Sequence, residues 1–88
     1  MHGVGKLRGR FTVGHKNLIA VIAEARKEVG ISQRELSIAL GRATNFIHFV
    51  EVGQQIPNVL EFIAIANELG VPPLVLMDRV LRGTKATR

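Results

Sequence analysis

The chain has 88 residues, carries 12 Lys and Arg against 7 Asp and Glu for a net charge of +5, and is 47% apolar. That composition supports one hydrophobic core, excludes a wholly disordered chain, and leaves too little length for a catalytic domain beside a regulatory one. The absence of cysteine excludes disulfide frameworks, thiolate metal sites and cysteine nucleophiles, and no apolar run approaches the roughly 20 residues of a membrane span.

The charge is concentrated at the ends. Residues 1–16 carry Lys6, Arg8, Arg10 and Lys16 and no acid. Residues 17–71 are mildly acidic, with Arg26, Lys27, Arg34 and Arg42 against Glu24, Glu28, Glu35, Glu51, Glu61 and Glu68. Residues 72–88 are basic again, with Arg79, Arg82, Lys85 and Arg88 against Asp78. Basic ends on a mildly acidic body suit a polyanion such as nucleic acid, or serve only to keep an apolar domain dissolved.

Residues 1–15, with Gly3, Gly5, Gly9 and Gly14, read as a flexible basic arm. Its cations are not followed by the apolar stretch of a signal peptide, so none is expected. A first helix is expected from Lys16 to Val29, where Leu18, Ile22, Ala25 and Val29 recur at helical spacing, and Gly30 stops it. Ser32 followed by Glu35 is a capping box that starts a second helix at Gln33, with Leu36 and Leu40 on its apolar face and Gly41 as its end. A third helix is expected from Thr44 to Val52, closed by Gly53. Asn58 caps a fourth, whose buried face is read as Val59, Phe62, Ile63, Ala66 and Leu69, and Gly70 ends it. Pro72 and Pro73 open a fifth that runs to Leu81. The expected fold is all-α: a compact five-helix bundle over residues 16–82, with residues 83–88 as a basic tail.

Between Gln33 and Val52 two short helices flank the turn Gly41-Arg42-Ala43. Gly41 supplies the backbone freedom for a tight turn, and Ser37 is small where the helices approach. Leu36, Leu40, Ile47 and Val50 are apolar where the pair meets the rest of the domain. This is a helix-turn-helix pattern. With Ala25-Arg26-Lys27, Gly30-Ile31-Ser32-Gln33, Glu51, Gly53, Pro57, Ile65-Ala66 and Leu69-Gly70-Val71, the stretch from about Leu18 to Leu76 resembles the Cro/CI repressor-type (XRE-type) helix-turn-helix family. The resemblance implies a lambda-repressor-like bundle that binds operator DNA as a two-fold dimer. It also implies a partly buried salt bridge between Arg26 and Glu51, and a DNA contact by Gln33.

At 100° per residue the third helix turns Ile47 and Val50 inward and Asn45, His48, Phe49 and Val52 outward. Asn45 is the base-reading candidate, because its amide matches adenine N6 and N7. Thr44 and His48 are placed on base edges or phosphate, Arg42 on phosphate, and Phe49 on thymine methyls or a partner protein. Lys6, Arg8 and Arg10 are expected to attract DNA irrespective of its sequence. The fifth helix is apolar on more than one side, so Leu74, Met77, Val80 and Leu81 are expected to seal a homodimer.

No arrangement of nucleophile, base and acid, no phosphate loop and no metal-ligand spacing stands out, so the chain is read as a non-enzyme without cofactor or metal. The reading is a cytoplasmic, nucleoid-associated, dimeric repressor on double-stranded DNA, with no membrane partner. The alternative is a protein-interaction module on the same scaffold, antitoxin-like or a phage-encoded regulator, that docks a partner protein on the apolar side of the third helix.

Overall fold

The computed structural model describes residues 12–83. Among them are five α-helices and no strand: α1 (Val13–Val29), α2 (Gln33–Ala39), α3 (Phe46–Glu51), α4 (Val59–Glu68) and α5 (Pro73–Arg82). The expected all-α five-helix architecture is the observed one. Lys6, Arg8 and Arg10 lie outside the described residues, as does the tail from residue 84 onward.

Local chemistry sets the helix ends. α1 starts at Val13, three residues before the expected Lys16, because Thr12 caps it and accepts the His15 N–H on Oγ1 at 3.2 Å. Val13, Gly14 and His15 therefore belong to the helix and not to the arm. Gly30, at φ 86°, closes α1 by donating its N–H to the Arg26 and Lys27 carbonyls. The Ser32–Glu35 box opens α2, with Oγ accepting the Glu35 N–H at 3.0 Å and Oε1 accepting the Ser32 N–H at 2.9 Å. Asn58 and Glu61 make the same reciprocal pair at α4. α3 is shorter than expected at both ends: Thr44 and Asn45 lie in the preceding turn and Val52 is its C-cap.

The core joins Val21, Ile22 and Ala25 of α1, Leu36 of α2, Phe46, Ile47 and Val50 of α3, Phe62, Ile65 and Ala66 of α4, and Leu76 of α5. The face expected for α4 is corrected. Phe62, Ile65, Ala66 and Leu69 are buried, whereas Val59 is 72% exposed and Ile63 also lies outside. α4 is held between α2 and α5, so its buried stripe is the i, i+3, i+4, i+7 row from Phe62, and Val59 falls on the open first turn.

Two polar contacts fasten this core. Arg26 donates from Nε to Glu51 Oε2 at 2.7 Å and from Nη2 to Oε1 at 3.1 Å, with side-chain exposures of 11% and 9%. Its Nη1 donates to the Ile31 carbonyl at 3.0 Å, so one guanidinium ties α1 to α3 and to the α1–α2 connection. Removing one member of such a pair costs about 3–5 kcal/mol, because the other charge is left buried. The second contact is Ser37, which is fully buried. Its Oγ donates to the Gln33 carbonyl at 2.8 Å and accepts the Ile47 N–H at 2.9 Å, pinning the start of α3 to α2. In α3 the Ile47 N–H is one of the first-turn donors without an intrahelical acceptor, and Ser37 satisfies it.

Ser37→Ala should therefore destabilise the domain by about 1–3 kcal/mol, the cost of a buried donor without an acceptor. Urea unfolding followed by far-UV circular dichroism measures this. An unchanged midpoint would show that the hydroxyl is not what fixes α3 against α2.

Candidate nucleic-acid interface

The turn between α2 and α3 is built by backbone bonds. Gly41, at φ 71°, donates to the Ile38 carbonyl at 2.9 Å, Arg42 to the Ser37 carbonyl at 3.0 Å, and Phe46 to the Ala43 carbonyl at 2.9 Å. Gly41 needs the left-handed conformation, which a Cβ would strain. The result is an outward row. Ala43, Thr44, Asn45 and His48 are exposed, while Phe46, Ile47 and Val50 are buried beneath them. Asn45 occupies the N-cap position of α3 yet makes no side-chain cap bond, so its amide is turned to solvent.

Phe49 departs from the expected outward position. It is half-buried, with its ring centroid 5.4 Å from that of His48 and tilted by 58°. The chain folds back over this residue, and its carbonyl accepts the N–H groups of Gln54 and Gln55. Val52 remains 43% exposed at the far end of the row.

Gln33 and Arg42 flank the row and are both engaged. Gln33 Nε2 donates to Glu51 Oε1 at 2.8 Å. An amide nitrogen carries two protons, so this bond fixes the side chain and leaves one donor for a phosphate. Arg42 bonds Glu61, and its guanidinium lies 4.3 Å over the Phe46 ring. Only Nη1 is used on Glu61 and the side chain is 39% exposed, so the guanidinium keeps further N–H groups for the phosphate expected from the sequence. Arg42, Phe46 and Glu61 also line a groove of about 270 Å³ with Leu40, Asn58, Leu60 and Ala64.

Sequence reasoning missed Glu61, although Asn58-x-x-Glu61 repeats the capping-box spacing read at Ser32-x-x-Glu35. One oxygen of Glu61 caps α4 and the other holds Arg42. The Gln33–Glu51 bond had no local signal, since 18 residues separate its partners.

α5 presents Leu74 and Leu81, 85% and 76% exposed, with Val75 and Met77 also outside. Val80, expected in the same apolar seam, packs partly against the chain's own core, and its carbonyl accepts from Asn17 Nδ2 at 3.0 Å. It therefore belongs largely to the monomer. Among the described residues no group of three His, Asp or Glu side chains could hold a metal ion, and no single helix is long and apolar enough to cross a membrane.

The paired short helices, the glycine turn and the exposed start of α3 define a helix-turn-helix protein. Residues 22–76, well over half of the chain, match the family model described as Helix-turn-helix (HTH_3), and the chain belongs to this Cro/CI-type (XRE) family of DNA-binding regulators. A comparison with curated proteins finds no match.

Arg42 first, and the Asn58 N–H second, hold the Glu61 carboxyl below the usual carboxylate range. A carboxyl depressed on folding adds stability that is complete above its unfolded value and is lost as pH falls through the folded one. The stability gap between the unmodified chain and Glu61→Gln should be constant above about pH 5 and close below about pH 4. Urea midpoints of both chains at several pH values test this. Glu35, which the Ser32 N–H also depresses, cancels because both chains carry it.

Proposed function

We propose that the chain is a dimeric transcriptional repressor that binds an inverted-repeat operator, working in the cytoplasm on nucleoid DNA. The observation that carries this reading is the row Thr44, Asn45 and His48: exposed polar side chains in the turn before the buttressed α3 and on its first turn, in a chain of net charge +5. In this reading α3 enters the major groove, Asn45 reads an adenine edge, and Thr44 and His48 contact neighbouring bases or phosphate. Gln33, oriented by Glu51, contacts a phosphate with its second amide proton. Lys6, Arg8 and Arg10 supply the attraction that is blind to sequence, since residues 17–71 are mildly acidic.

The dimer is proposed on the exposed apolar side of α5, through Leu74, Met77 and Leu81. Exposed side chains of this size gain about 1.5–3 kcal/mol each when fully buried, so a second copy covering them is favoured. The two α3 helices would then lie about 34 Å apart, one turn of duplex. Sedimentation should show a dimer, and Leu74→Lys with Leu81→Lys should give a folded monomer, since neither side chain contributes to the core. A monomer from the unmodified chain at micromolar concentration would overturn the α5 seam.

Duplex binding against salt tests the DNA reading. Log affinity should fall linearly with log salt, and Lys6, Arg8 and Arg10→Ala should lower that slope by up to about 0.9 per lost phosphate contact. Asn45→Ala should cost about 1–3 kcal/mol at the operator and leave random duplex binding nearly unchanged. An α3 that docks a protein instead would show no such slope and would lose its partner on Phe49→Ala.

A further inference from the structure

The reading face of α3 is electrically neutral. Between Gly41 and Gly53 the charged side chains are Arg42 and Glu51, and each is already in an ion pair, Arg42 with Glu61 and Glu51 with Arg26. The commonest specific contact to DNA is an arginine or lysine on guanine O6 and N7, and a free carboxylate is what accepts from cytosine N4. On this face the one arginine is tied to Glu61 and stacked on Phe46, and the one carboxylate is held by Arg26 and Gln33. The face offers the free amide of Asn45, which fits the N6 donor and N7 acceptor of adenine, and exposed carbon: the methyls of Ala43 and Thr44 and the isopropyl group of Val52. Thymine is the base that presents a methyl group in the major groove. His48, with one donor and one acceptor when neutral, can bond the N7 of either purine and discriminates little between them.

We infer that α3 reads the major-groove edges of an A·T-rich half-site, with Asn45 on an adenine and the carbons of Ala43, Thr44 and Val52 against thymine methyls. The inference rests on the DNA-reading function proposed above and adds the class of sequence that the face accepts. The pairing of Arg42 with Glu61 is part of the specificity, because it withholds from the groove the one cation of this segment that could have favoured guanine.

The test begins with selection of random-sequence duplexes by the unmodified protein at fixed salt. The half-site positions facing α3 should be enriched in A·T pairs. The enriched duplex is then remade in two forms. In the first, deoxyuridine replaces thymidine at single positions, which removes only the methyl; affinity should fall about three- to fivefold for each methyl in contact, the worth of one buried carbon. In the second, inosine·cytosine pairs replace A·T pairs, which keeps an A·T-like minor groove and gives the major-groove pattern of G·C; affinity should fall at least tenfold. With Val52→Ala, the deoxyuridine effect at one thymine should shrink.

Enrichment of G·C pairs, indifference to deoxyuridine, or full affinity for the inosine duplex would overturn the inference while leaving DNA binding intact; the last would assign recognition to the minor groove or to DNA shape. Absence of any salt-dependent duplex binding would instead overturn the underlying function. The selection and both remade duplexes use the unmodified chain, so the inference does not depend on the folding of any variant.

Discussion

The structure depends on one buried ion pair. Arg26 and Glu51 are 25 residues apart in sequence and come together with side chains about nine-tenths buried. The guanidinium uses its planar fork on both carboxylate oxygens and spends a third N–H on the Ile31 carbonyl, at the connection that leads into α2. The carboxylate takes a further bond from Gln33, the first residue of α2. One charge pair thus sets the relative positions of α1, the start of α2 and the end of α3. A hydrophobic pair of similar volume would pack as well but would not fix direction, because apolar contacts carry no preferred angle.

Ser37 completes this framework at the other end of α3. The ion pair holds the helix by its last residue, and the serine hydroxyl holds it near its first turn through the Ile47 N–H. A six-residue helix has little stability of its own, since nucleation costs nearly as much as so few bonds return. Tertiary anchors at both ends keep α3 formed and aimed, and its outward side chains are then free to be chosen for contact. This explains how Thr44, Asn45 and His48 can be polar and exposed on a segment whose inner side is entirely core.

Positive charge is concentrated at the two ends of the chain. The cations of residues 1–16 and 72–88 provide the positive balance, while in the helix-turn-helix segment Arg42 pairs with Glu61 of α4 and Glu51 with Arg26 of α1. Attraction to a polyanion is long-ranged and tolerates flexible placement. Base reading needs short hydrogen bonds and fixed side chains, and a free arginine beside Asn45 would add a strong contact of its own. Glu61 restrains Arg42 against Phe46.

Much of the architecture was legible in the sequence. The capping box at Ser32, the caps at Gly30 and Asn58, the turn at Gly41 and the apolar spacing of α2 and of α1 as far as Ala25 are local signals that act over three or four residues, the range over which a helix start or stop is decided, whereas Val29, expected on the same face of α1, is 52% exposed. The Thr12 cap is equally local, but the glycines before it pointed to an arm. The tertiary structure alone decided the buried face of α4, because that face depends on lying between α2 and α5, and it drew Val80 toward its own core and Phe49 partly under cover. It also decided which charges are engaged: Gln33 with Glu51 and Arg42 with Glu61. Helix periodicity ranks the faces of one helix, but only packing against a particular neighbour chooses among nearly equal apolar faces and brings distant charges within bonding distance.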